Sequence, residues 1–164
     1  MTVLRTILIG GILAVLQTTW ISGLQIGGAQ PDLVLIILTA YASVAGVQRG
    51  QVAGFVVGLI EDGLSVSPPG FYAVVRLLHS ALAGTVRASI AEEVLVFPMV
   101  MTTIAFTVKT TAVLVTASIL RLEAVAPRVF STTTLVEGAM TIILAPLVFW
   151  LCRKVFPASN RRAF

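Results

Sequence analysis

Seven ionisable residues lie inside otherwise apolar stretches of this chain: Asp32, Glu61, Asp62, Arg76, His79, Lys109 and Glu137. A charge in such a setting is costly, so each needs a partner or a purpose. Four carboxylates, two fixed cations and one imidazole could pair with one another, hold or gate a protein partner, or bind a charged ligand. His79 follows Arg76 by three residues and shares its helical face. With no second histidine in the chain, it reads as a hydrogen-bonded packing residue rather than a metal ligand. A Ser/His/Asp triad can be assembled only from scattered residues, with no elbow motif around a nucleophile. The single cysteine, Cys152, excludes an internal disulfide and any multi-cysteine metal site. The sequence therefore assigns no catalytic residue, no metal and no cofactor.

The elements that must position these residues follow from composition. Of 164 residues, 57% are hydrophobic and 11% charged, with a mean hydropathy of +1.02. Soluble domains are about 45–50% apolar and about 25% charged, so this is an integral membrane protein. A span needs roughly 20 apolar residues, which leaves room for six spans and almost nothing else. A separate soluble domain, a dinucleotide-binding or P-loop module, and a large extramembrane head are all excluded. The apolar stretches predict one all-α domain over 1–164, with spans at about 5–22, 32–47, 51–66, 71–89, 94–120 and 129–152. Trp20 suits an interface, and Pro31-Asp32 suits a helix start. Gln48 to Gln51 reads as a tight turn, and Ser67-Pro68-Pro69-Gly70 as a strong breaker. Glu92-Glu93 and the stretch from Arg121 to Arg128 read as loops. The fifth span is long enough to tilt, or to begin with a surface segment around Phe97-Pro98. Gly27-Gly28-Ala29 looks like a cleavage site, yet the first stretch is read as a retained span.

Charge bias sets the orientation. Net charge is +4 with a pI of about 10.0, but no basic stripe carries interleaved aromatics, so nucleic acid is not an expected partner. Seven cations (Arg5, Arg49, Arg87, Arg153, Lys154, Arg161 and Arg162) fall on the side of the termini and two, Arg121 and Arg128, on the other. That bias predicts both termini in the cytoplasm. At about 1.5 Å of rise per residue, all seven intramembrane charges then fall in the outer half of the membrane. They predict an outward-opening polar cavity or a charged seam between helices. Glu61 or Asp62 paired with Arg76 would lock the hairpin of the third and fourth spans. Lys109 could be satisfied by carbonyls or by Glu137. Gly50, Gly54 and Gly58 form a small-residue face, for packing within the bundle or against a partner's helix. Ser80 and Gly84 repeat that theme. Threonines at 102–103, 110–111 and 132–134 can bond their own backbone. The basic tail of Arg153, Lys154, Arg161 and Arg162 suits anchoring to anionic lipid.

The order and spacing of Pro31-Asp32, Arg49-Gly50, Gly54 to Asp62, and a Pro-Gly turn before the next span resemble the rod shape-determining protein MreD family. The family commonly has an apolar residue between Pro and Gly, where this chain has Pro69. The resemblance implies a non-enzymatic inner-membrane component of the bacterial elongation machinery. It further implies an MreC-like single-span partner with a periplasmic domain. The MreB cytoskeleton, the RodA glycosyltransferase and a class B penicillin-binding transpeptidase belong to the same machinery, which builds lateral peptidoglycan; a homodimer is a further candidate. The family's fold is similar to the substrate-binding S components of energy-coupling factor transporters. That likeness leaves a small-molecule or lipid-binding module as the competing expectation, with Arg76, His79 and Lys109 facing an anionic group.

Overall fold

The computed structural model describes residues 2–19, 25, 27–65, 67–86, 95–119, 121 and 131–155. Trp20, Arg87, Glu92, Glu93, Arg128, Arg161 and Arg162 lie outside the described residues. Among the described residues there are six helices and no strand: α1 (Thr2–Thr19), α2 (Leu33–Ala45), α3 (Val47–Leu64), α4 (Phe71–Thr85), α5 (Val96–Ile119) and α6 (Thr132–Val155).

α2 is the axis of the bundle. Its sequence, LVLIILTAYASVA, is apolar on every side, which suits a helix surrounded by protein. Residues Val34 to Ser43 are all buried, and α2 packs against each of the other five helices. The 13 residues of α2 rise only about 20 Å, short of the roughly 30 Å of a bilayer's hydrocarbon core. α5 and α6 are both long and apolar enough to cross a membrane, whereas α1 and α2 are apolar but shorter. Pro146 sits inside α6, a position that neighbouring helices make tolerable in an apolar bundle. The outer surface carries large apolar side chains, with Leu135 71% and Ile143 70% exposed. Apolar exposure on that scale marks a surface meant for lipid or protein.

Two boundaries differ from the sequence expectation. The α2–α3 break is not at Gln48 to Gln51, because Arg49 and Gly50 lie in the first turn of α3. It falls on Gly46 alone, at φ 86° and ψ 174°, a conformation open essentially to glycine. The Gly46 amide donates to the Ala42 carbonyl at 2.9 Å, and its own carbonyl accepts from Gly50 at 2.9 Å. One residue thus closes one helix and opens the next. Phe97 and Pro98 are not a surface segment either. Both are buried in the first turn of α5, where Phe97 meets Phe149 edge to face.

α3 and α4 form the closest pair in the bundle, and glycine sets their distance. A Cβ at Gly54 would fall 2.5 Å from Ser80 Oγ and 2.6 Å from the Arg76 carbonyl. One at Gly58 would fall 2.5 Å from Ala73 Cα, and one at Gly50 would fall 2.7 Å from Ala42 Cβ. Gly84 returns the contact from α4, against the Val47 backbone. Gly63, in the same helix, has nothing within 4 Å of such a Cβ. Gly54→Ala is therefore expected to lower the melting temperature of the purified protein, with an overpacking cost of about 1–3 kcal/mol. Gly63→Ala is expected to hold or raise it, since alanine is the better helix former by about 1 kcal/mol. Equal effects at the two sites would show that the close approach is not what fixes the hairpin.

Candidate functional site: a buried ion network beside an open cavity

The start of α2, the end of α3, the starts of α4 and α6, and the middle of α5 converge at one end of the bundle. Asp32 is the N-cap of α2: its Oδ1 accepts from the Leu35 amide at 2.8 Å. This is the ordinary capping role of aspartate. The same carboxylate also takes Arg76 in a two-pronged contact, Nη1 to Oδ2 at 3.0 Å and Nη2 to Oδ1 at 3.1 Å. Lys109 Nζ donates to Oδ2 at 2.7 Å. Four donors saturate a carboxylate, which accounts for a charge only 6% exposed.

The network continues outward from Arg76 and Lys109. Arg76, itself 3% exposed, also donates from Nε and Nη2 to the two oxygens of Glu61, at 2.6 Å each. Lys109 Nζ donates to Glu137 Oε1 at 2.6 Å. Five helices are thereby tied through one chain of contacts: Glu61 of α3, Arg76 of α4, Asp32 of α2, Lys109 of α5 and Glu137 of α6. Thr141 adds a neutral link, accepting from the Asp32 amide at 3.0 Å and donating to the Glu137 carbonyl at 2.6 Å. Gln17 brings in α1, donating to the Pro31 carbonyl at 2.6 Å.

The structure places the other predicted residues elsewhere. Glu61, not Asp62, faces Arg76. Asp62 instead accepts from the amides of Gly70, Tyr72 and Ala73 at 3.0, 2.8 and 3.2 Å. It caps α4 from the neighbouring helix, where the free N–H groups and the helix dipole favour a carboxylate. His79 is fully buried in α4, where its ring packs with the Val75 backbone one turn earlier as its polar neighbour. Among the described residues no cluster of His, Cys, Asp and Glu could hold a metal ion. Thr103 and Thr111 bond their own backbone, whereas Thr102 is buried with its hydroxyl unpaired. At the far end of α6, the Lys154 ammonium sits 3.8 Å over the Trp150 ring. Sequence reasoning missed Thr141 and Gln17. Its only signal for them was a polar residue in an apolar helix.

A cavity of about 270 Å³, open on one side, adjoins the network. Its wall combines Asp32, Glu61, Arg76, Lys109 and Glu137 with Gln17, Gln30 and Tyr72. The two cations on its wall are both engaged by carboxylates.

The pairing is directly measurable. Arg76→Leu strands Glu61 and leaves Asp32 with Lys109 as its cation; it is expected to cost about 3–5 kcal/mol, seen as lost folded yield and a lower melting temperature in detergent. Adding Glu61→Leu is expected to restore part of that loss, with a coupling of about 1–3 kcal/mol. Asp62→Ala is expected to cost about 1 kcal/mol through the lost cap. It should combine additively with Arg76→Leu, within about 0.5 kcal/mol. Rescue by the Asp62 change rather than the Glu61 change would contradict the observed pairing.

Comparison with known proteins agrees with the motifs. The family model described as rod shape-determining protein MreD matches residues 1–155. No curated protein and no solved structure matches the chain, so the likeness to transporter S components gains nothing from comparison. The match spans nearly the whole chain, and on that ground the chain belongs to the MreD family of rod shape-determining membrane proteins.

Proposed function

We propose that this protein is a non-catalytic scaffold of the bacterial inner membrane, which holds an MreC-like single-span partner and so regulates lateral wall synthesis. The observation that carries this reading is the network itself. Its cations are spent on neighbouring carboxylates, and together they fasten five helices into one body. Such a body suits holding a partner better than turning over a substrate. On this reading the protein acts mainly through its helix faces.

On this reading all six helices cross the bilayer with both termini in the cytoplasm. Arg5 at the start of α1, Arg49 at the start of α3 and Lys154 at the end of α6 share the end opposite the network. This supports the positive-inside assignment, on which the network and its cavity lie in the outer half. α2 falls short of full bilayer thickness, but it is sheathed by the other helices and meets little lipid. The face of Gly50, Gly54 and Gly58 is filled by α2 and α4, so a partner's helix docks on another surface. Lys154 and its basic neighbours anchor to anionic lipid, at about 1 kcal/mol per cation near the surface. RodA and a class B penicillin-binding transpeptidase are reached through the partner.

Extraction from the native membrane in mild detergent, followed by native mass spectrometry, is expected to find a single-span protein with a periplasmic domain at fixed stoichiometry. A chain that travels alone under conditions that keep other membrane complexes intact would overturn the scaffold reading. Alkaline phosphatase fused after residue 155 is expected to be inactive, and fused after Arg121 to be active. The reverse pattern would invert the topology.

A further inference from the structure

The hydrogen-bond inventory of the cavity is lopsided. Arg76 has five N–H donors, and four contacts to Asp32 and Glu61 use them almost fully. Lys109 spends two of its three donors on Asp32 and Glu137. Acceptors remain in surplus. Glu137, 26% exposed, has no partner at its second oxygen, and Glu61 retains lone pairs beyond the two that Arg76 uses. Gln30 lines the cavity with its Oε1 buried and unpartnered. Gln17, 8% exposed, commits its amide nitrogen to Pro31 and so offers no free donor. Three carboxylates against two cations also leave the site one negative charge in excess.

Most of the donors that an anion would need are already committed on this wall, so the pairing favours a cation over an anion as occupant. We propose that the cavity binds a small protonated primary amine. The ammonium would donate to Glu137 Oε2, to a spare lone pair of Glu61 and to the unpartnered Gln30 Oε1, completing the charge balance of the network. The N–H donors of a compact cation suit these remaining acceptors. Amines of two origins carry this chemistry: a soluble diamine, or the ethanolamine headgroup of a phospholipid. The site is independent of the scaffold reading, because it is complete within one chain.

The test uses the full chain in lipid-free detergent, with putrescine as the probe and 1,4-butanediol or NaCl of equal ionic strength as controls. Putrescine is expected to raise the melting temperature saturably and to add one molecule by native mass spectrometry; the controls should do neither. Gln30→Leu removes an acceptor with no partner in the fold. It should leave the unliganded melting temperature unchanged and weaken the amine about fivefold. Glu137→Gln keeps an oxygen for Lys109 but removes the excess charge, and should weaken the amine about tenfold or more. Phosphatidylethanolamine that copurifies at one per chain and is displaced by putrescine would identify the lipid as the source. Putrescine binding without any such lipid would identify the soluble amine. The proposal fails if NaCl matches putrescine, if phosphate stabilises in its place, or if neither substitution weakens the amine.

Discussion

Asp32 is the point on which the bundle depends. Its carboxylate accepts the first free amide of the central helix, both arms of Arg76 and the ammonium of Lys109. Each donor comes from a different place in the fold, and without Asp32, Arg76 and Lys109 would each keep a single carboxylate partner on the network's edge. In a setting poor in water, a lone charge costs several kcal/mol. The five charged groups therefore assemble together or not at all. Apolar packing between helices in lipid discriminates weakly among registers, since the surrounding tails are as apolar as the helices. Directed contacts between fixed charges discriminate strongly. The network thus sets how α2, α4 and α5 slide against one another, and Glu61 and Glu137 extend that setting to α3 and α6.

The α3–α4 hairpin shows how two adjacent acids divide two tasks. Neighbouring residues on a helix point about 100° apart, so Glu61 and Asp62 cannot face the same partner. Glu61 turns to Arg76, while Asp62 turns to the opening amides of α4. The hairpin is thereby fastened twice at its turn, once by charge and once by capping. Below the turn it is fastened by contact, where Gly54 and Gly58 bring the two backbones together. Cap, charge and close packing act along one helix pair, the most closely packed of the bundle.

Much of this was legible in the sequence, and the rest was hidden for definite reasons. Asp32 was readable as a helix start because Pro31 precedes it. Glu61, Asp62, Arg76, Lys109 and Glu137 stood out as charges in apolar stretches. Depth along a helix follows from residue count, so their convergence at one end was legible too. Which acid meets which cation depends on rotation about the helix axis, which residue counting does not give; Glu61 and Asp62 were equal candidates for that reason. The Gly46 break was masked by the more polar residues just after it. Polarity marks exposure, whereas the break needed a backbone angle. Thr141 and Gln17 were illegible because a hydroxyl or amide in an apolar helix most often bonds its own backbone.

The charges inside the network are nearly matched, three carboxylates against two cations. A body whose internal charges are nearly matched has no need of water at its centre, so its helices hold their arrangement with apolar surface facing outward on all sides. On the scaffold proposal, that surface is the means of contact with other membrane proteins, and the register fixed beneath it holds its shape. The mismatch is a single carboxylate, Glu137, at the edge where the network meets the cavity. It lies on α6, one of the two longest helices, with the remaining length of the helix running away from the network toward the basic end of the chain. Any group that satisfies Glu137 acts on the same contact that holds α5 to α6. The least buried member of the network is therefore also the place where the rigid body is open to influence from outside.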